Sequence, residues 1–238
     1  MKAGRRILAV VPARGGSKGI RDKNMQEVGG HSLIARAAQC LTAPACREID
    51  RKIISTDVPA YAEEAIRHGL EAPFLRPAEW ASDTAGAVET MQHAWHAAEA
   101  HYRESYEILL IVEPTCPLRL PEDISGAIDL LVAENADSVV TVSRVDSKFN
   151  PAKILALRDG RLDFYLPQGA QVKARQSLDT YFYRNGACYA VTRRALLEQN
   201  RIFTENTLPL MVDRPLVNID EPEDLALARW LVERQGIS

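Results

Sequence analysis

The run Ile7-Leu-Ala-Val-Val-Pro12, followed at once by Ala13-Arg-Gly-Gly-Ser-Lys-Gly19, constrains this chain more than any other segment. A short β-branched run bounded by a turn signal is a buried strand, and a glycine-rich turn at its end lets backbone N–H groups converge on an anion. Similar runs at 52–55, 108–112 and 138–142 alternate with helical segments. That rhythm predicts a largely parallel sheet with helices on its faces, and ligands in such sheets bind outside the carboxyl ends of the strands.

Between the runs, Val88, Met91, Trp95, Ala98 and Tyr102 recur at steps of three and four and form one helical stripe. Ile124, Ile128 and Leu131 repeat the pattern after Pro121, a residue suited to the first helical position. A closing amphipathic helix is expected from Pro222 to about Arg234, with Leu227, Trp230, Leu231 and Arg234 on one side. Around 150–166 the pattern changes, because Asp159-Gly160 sits between two apolar-rich arms, a hairpin signal. The α/β rhythm resumes at 186–191. The expected fold is thus an α/β, Rossmann-like three-layer sandwich spanning residues 1–238, with a small lobe inserted at about 145–183.

Composition narrows the function classes. The formal charge is −3, with 29 Lys plus Arg against 32 Asp plus Glu, and no run of five like charges occurs, which argues against a partner held by its nucleic-acid backbone. The longest apolar runs, 7–13 and 108–112, fall far short of a membrane span, and Arg14 interrupts the first before a signal-peptide cleavage region. Cys40, Cys46, Cys116 and Cys188 form no Cys-x-x-Cys pair, which suits reduced thiols. A cytoplasmic protein is expected.

The turn after the first strand fits neither Gly-x-x-x-x-Gly-Lys-[Ser/Thr], since position 20 is isoleucine, nor Gly-x-Gly-x-x-Gly, since position 17 is serine. What remains is a loop whose Arg14, Lys18, Arg21 and Lys23 can surround a triphosphate. Glu89, His93 and His96 share helical spacing, but they lie opposite the apolar stripe and read as a solvated face. No Gly-x-Ser-x-Gly elbow supports a hydrolase.

Pro12-Ala-Arg-Gly-Gly-Ser-Lys-Gly-Ile20 with Lys23-Asn24 resembles the signature loop of the acylneuraminate cytidylyltransferases, the CMP-sialic acid synthetases. Ser55-Thr-Asp57, Leu75-Arg-Pro-Ala-Glu-Trp-Ala-Ser-Asp-Thr84, Glu113-Pro-Thr-Cys-Pro-Leu-Arg119, Arg175-Gln176, Asn185-Gly-Ala187 and Ile219-Asp220 with Asp224 are similar to that family's other blocks, in order. The resemblance implies that the anomeric hydroxyl of an acidic nine-carbon keto-sugar attacks the α-phosphate of CTP, giving a CMP-sugar and pyrophosphate.

The same resemblance implies residue roles. Ala13, Arg14, Gly15, Gly16, Ser17, Lys23, Asn24 and Arg76 would hold the nucleotide, and Lys23, Arg14 and Asp220 would carry catalysis. Asp220 would bind Mg²⁺; the family's second aspartate is replaced here by Asn218, which brings no charge. Asp57 reads as a strand-end turn residue. Glu113, Thr115, Arg175 and Asn185 would form the sugar site, where Glu113 stands in place of a common glutamine. The lobe is implied to cross to a second copy in a homodimer, carrying Arg175 to the partner's sugar. Two alternatives are activation of another acidic keto-sugar such as Kdo, and a catalytically silent sugar-nucleotide-binding protein.

Overall fold

A computed structural model describes residues 1–82, 84–171 and 179–235. In chain order its elements are β1 (Ile7–Pro12), β2 (Glu27–Val28), β3 (His31–Ser32), α1 (Leu33–Thr42), β4 (Arg51–Ser55), α2 (Pro59–Arg67), α3 (Ala87–Tyr102) and β5 (Ile108–Ile111). They continue with α4 (Pro121–Ala133), β6 (Ser138–Arg144), β7 (Leu155–Arg158), β8 (Arg161–Phe164), β9 (Phe182–Thr192), β10 (Thr207–Met211) and α5 (Pro222–Gln235).

Alternation along β1 builds the three layers. Ile7, Ala9 and Val11 face one side, where they meet Ile34, Ala38 and Leu41 of α1, Tyr61 and Ala65 of α2, and Ile124, Ile128 and Leu131 of α4. Leu8 and Val10 face the other side, where they meet Met91, Ala94, Trp95 and Ala98 of α3. A strand buried on both faces must be apolar at every position, as β1 is. The sheet has six strands in the order β10-β6-β9-β5-β1-β4. β1 is parallel to β4 and β5, β10 is parallel to β6, and β9 alone of the six runs antiparallel to both its neighbours. The expected α/β sandwich with a mainly parallel sheet is the fold observed.

Local signals set the helix starts. Ser32 Oγ accepts from the Ala35 N–H at 3.0 Å and caps α1, while Pro59 and Pro121 open α2 and α4. β7 and β8 form a separate two-stranded sheet, closed by Asp159 (φ 50°) and Gly160 (φ 76°). Positive φ at both central residues is what a tight two-residue hairpin requires.

Two expectations are corrected. α5 buries Leu225, Ala228 and Val232 against Ile20, Val28, Leu33, Leu118, Val217 and Ile219. Leu227 and Trp230, on the side read from the sequence as the helix's stripe, are exposed, and the packed face is the neighbouring one that carries Leu225, Ala228 and Val232. His93 is not on a solvated face: its ring packs edge-on against Phe74 at 5.4 Å and stacks over Trp80 at 6.3 Å.

Candidate active site

The glycine-rich loop leaves the carboxyl end of β1 and is fastened at several points. The Ala13 N–H donates to the Ser55 carbonyl at 3.0 Å, and the Gly15 N–H donates to Asp57 Oδ1 at 2.8 Å. Asp57 thus holds the loop, a role its strand-end position alone did not reveal. Buried Asn24 closes the other side, its Nδ2 donating to the Arg14 carbonyl at 3.1 Å. Gly16 is exposed between half-buried Gly15 and Ser17. Further on, a Cβ at Gly19 would lie 2.6 Å from the Asp220 carbonyl oxygen, so only glycine lets the loop cross the 220 backbone this closely.

Lys23 and Asp220 meet at that crossing. Asp22, at φ 48°, turns the chain before the short helical turn Lys23–Met25. Lys23 Nζ then donates to the Ile219 carbonyl at 2.9 Å and to Asp220 Oδ1 at 3.0 Å. The lysine side chain is 16% exposed and the aspartate 69%, so the carboxylate faces the open side of the pair. Asp224 relieves Asp220 of helix capping: its Oδ2 accepts from the Asp220 and Glu221 N–H groups at 3.0 and 2.9 Å. The Thr115 carbonyl accepts the Ile219 N–H at 2.8 Å, joining the loop after β5 to the same segment.

A cavity of about 520 Å³ opens beside β1 and β5, with Pro12, Ile111, Glu113, Tyr189, Arg184 and Phe203 in its wall. Arg119, buried, donates to the Glu113, Gly186 and Ala187 carbonyls and so ties the loop after β5 to β9. Gly186, at φ +73°, lies against this loop: a Cβ there would be 2.7 Å from Glu113 Oε2 and 3.3 Å from Asn218 Oδ1. Burial pushes the Glu113 carboxyl above its usual range, helped by Asp220 and opposed by Arg119, Arg184 and Lys23. Asn185 points into the sheet, its Nδ2 donating to Ser143 Oγ and its Oδ1 accepting from the Ala187 N–H, both at 3.1 Å.

Arg76 is buried, with Nε donating to Ser55 Oγ at 3.0 Å and Nη2 to the Ser55 carbonyl. Burial, then the nearby Arg14, lowers its pKa to about 10 against the pull of Asp57. The structure therefore gathers Ala13, Arg14, Gly15, Gly16, Ser17, Lys23, Asn24, Arg76, Glu113, Thr115 and Asp220 around the carboxyl ends of β1, β4 and β5, and sets Asn185 behind the cavity wall. Arg175 lies outside the described residues. Sequence reasoning passed over Arg119 and the orientation of Arg184; an arginine inside the otherwise apolar Cys116-Pro-Leu-Arg119 was the available sign of the first.

A divalent cation fits this donor set. The exposed carboxylate of Asp220, together with Asn218 Oδ1 and Glu113 Oε2, offers hard oxygen ligands, and Gly186 leaves the space beside the latter two that a Cβ would fill. Among the described residues no group of three or more His, Cys, Asp and Glu forms a cage, which suits Mg²⁺, an ion that keeps several waters.

A family model described as Cytidylyltransferase matches residues 8–234. The chain belongs to the cytidylyltransferase family. This cytidylyltransferase is 29% identical over 231 residues to a CMP-N,N'-diacetyllegionaminic acid synthase of Legionella pneumophila, covering 96% of this chain and 97% of that protein. It is 27% identical over 233 residues to the post-translational flagellin modification protein B of Campylobacter coli, covering 97% of each. A solved CMP:2-keto-3-deoxy-manno-octonic acid synthetase complexed with CTP superposes with a TM-score of 0.69 over 97% of this chain and 99% of its own, at 16% identity, and shares the fold. The chain is a nucleotidyltransferase of the acylneuraminate cytidylyltransferase type.

Proposed function

We propose that this cytidylyltransferase activates a nonulosonic acid, a nine-carbon acidic keto-sugar of the sialic and legionaminic kind, with CTP. The observation that carries the reading is the contact of Lys23 Nζ with Asp220 Oδ1 at 3.0 Å and with the Ile219 carbonyl at 2.9 Å, where the glycine-rich loop crosses the 220 segment. A separate cavity walled by Pro12 of β1 and by Ile111 and Glu113 at the end of β5 is large enough for a sugar. Full-length similarity to a CMP-N,N'-diacetyllegionaminic acid synthase supports the sugar class.

In this reading Ala13, Gly15, Gly16 and Ser17 present the loop's backbone to the triphosphate, while Arg14 and Lys23 balance its charge. Asn24 and Arg76 keep the loop and the end of β4 in shape for the nucleotide. The anomeric oxygen bonds to the α-phosphorus as the bond from that phosphorus to the pyrophosphate oxygen breaks, and the hydroxyl proton passes to solvent. Asp220, with Asn218 or Glu113, would hold Mg²⁺, which neutralises triphosphate charge and polarises phosphoryl oxygens. Glu113 and Thr115 line the sugar side, and Asn185 shapes it from behind.

The lobe at 145–183 is assigned to contact with a second copy. Leu157 and Leu162 are directly paired across the hairpin and are 71% and 67% exposed, an apolar face that a homodimer would cover. The partner's Arg175 would complete the sugar site. Light scattering of the wild type and of Leu157→Glu tests the dimer. A cytoplasmic location fits a CTP-consuming enzyme, and no described helix is long and apolar enough to cross a membrane.

Pyrophosphate release from CTP, measured with N,N'-diacetyllegionaminic, pseudaminic, N-acetylneuraminic and Kdo acids, tests the reaction. Turnover of a nine-carbon acid supports the reading. Turnover of Kdo alone, or CTP binding without turnover of any acid, overturns it.

A further inference from the structure

Arg184 and Arg201 are the two residues of the cavity wall whose charge is opposite to that of Glu113. The Arg184 guanidinium carbon lies 5.4 Å from the centre of the Phe203 ring, a contact that holds the flat group in place without occupying its N–H donors. Its charge reaches both Glu113 and the Tyr189 hydroxyl, which belong to the same wall. Its backbone explains the direction. Pairing between β6 and β9 jumps from Val140↔Tyr189 to Val142↔Arg184, so the intervening residues of β9 bulge and re-aim the side chain at 184. The wall between the two charges is apolar, from Val88, Met91, Ile111 and Ile202.

We propose that Arg184 receives the carboxylate of the sugar within the same chain, and that Glu113 across the cavity fixes the sugar's orientation by repelling that carboxylate and accepting from its hydroxyl or N–H groups. The inference rests on the cytidylyltransferase reading given above. A guanidinium presents two parallel N–H donors in the geometry of a carboxylate, and an acidic ligand in this cavity is drawn to the arginine side and away from Glu113. The opposite orientation sets carboxylate against carboxylate. Arg201 also borders the cavity, and it borders as well a second pocket whose wall holds Asp137 and Glu205; the Arg201→Gln variant separates the two arginines.

The test compares kcat/KM for a nonulosonic acid and for its C1 carboxamide, which keeps shape and loses charge. Wild type, Arg184→Gln, Arg184→Lys and Arg201→Gln are measured, each with a CTP affinity and a thermal melt. Wild type should prefer the acid by roughly 10- to 100-fold, the range of a hydrogen bond to a charged group. Arg184→Gln should bring that ratio to near unity by raising the sugar KM, with CTP affinity and melting held, and Arg184→Lys should recover part of it. An Arg184→Gln enzyme that keeps the wild-type ratio, or an Arg201→Gln enzyme that loses it in its place, overturns the assignment of Arg184 and leaves the reaction intact. A wild type that binds CTP and turns over no nonulosonic acid removes the reaction, and this assignment with it. Should Arg184→Gln melt early, the ratio in Arg184→Lys decides: an undiminished preference for the acid there, together with an unchanged sugar KM, overturns the two-pronged contact.

Discussion

Lys23 Nζ lies 3.0 Å from Asp220 Oδ1, although 197 residues separate them in the chain. The pair sits where the glycine-rich loop crosses the segment before α5, so an ammonium and a carboxylate are delivered side by side. The lysine also donates to the Ile219 carbonyl, and Ile219 is in turn pinned by its N–H to the Thr115 carbonyl.

Replacing Lys23 by alanine should lower kcat about 10²- to 10³-fold, the scale for one preorganised charge-stabilising donor. Asp220→Asn should lower activity too, and should also shift the Mg²⁺ concentration giving half-maximal rate upward. Pyrophosphate release across a Mg²⁺ titration checks both. An Asp220→Asn enzyme with an unshifted titration would remove the metal role.

Glu113 predicts a pH-dependent stability. Burial raises its folded pKa above the unfolded value, so the folded protein holds this proton more tightly. The resulting stabilisation is full below the unfolded carboxylate pKa, roughly 4.3, and is lost as pH climbs through the raised folded value. Glu113→Gln, which cannot ionise, should therefore melt higher than wild type near neutral pH, with the gap closing in acid. A gap of equal size at both pH values would contradict the sign.

Gly186→Ala should be destabilising by more than the about 1–2 kcal/mol of a left-handed backbone alone, because its Cβ would also meet Glu113 Oε2 at 2.7 Å. Denaturant unfolding measures the loss. Combining it with Glu113→Ala should return part of it, and strictly additive losses would show that the two residues do not press on each other.

The cysteines should be inert in the folded protein. Burial lifts the Cys46 and Cys116 thiols to about 11 and Cys188 to about 12, which leaves on the order of a thousandth or less as thiolate at pH 8. Titration with a thiol-reactive disulfide should find these three silent until denaturant is added. Rapid modification of Cys116, which sits in the loop after β5, would mean that this loop opens.

Much of the architecture was legible because it depends on local periodicity. The β1 run, the α3 stripe and the Asp159-Gly160 turn each carry their own signal within a few residues, and all three appear where expected. In α5 the stripe read from the sequence runs through Leu227 and Trp230, whereas the face packed on the apolar cluster around Ile219 runs through Leu225, Ala228 and Val232. The site divides in the same way. The basic, glycine-rich loop announces an anion by composition. The aim of Arg184 does not, since side-chain direction in a strand follows from parity, and the break in register opposite Val140 and Val142 resets parity in a way that no count along β9 could foresee. Arg119 escaped notice because its partners are carbonyls, which leave no trace in a pattern of side chains.

β9 runs against both of its neighbours, and its first residues are the ones that return from the hairpin excursion. The excursion is thus an insertion between β6 and β9, two strands that pair directly, so its length can change without breaking the ladder that holds Arg184 in place.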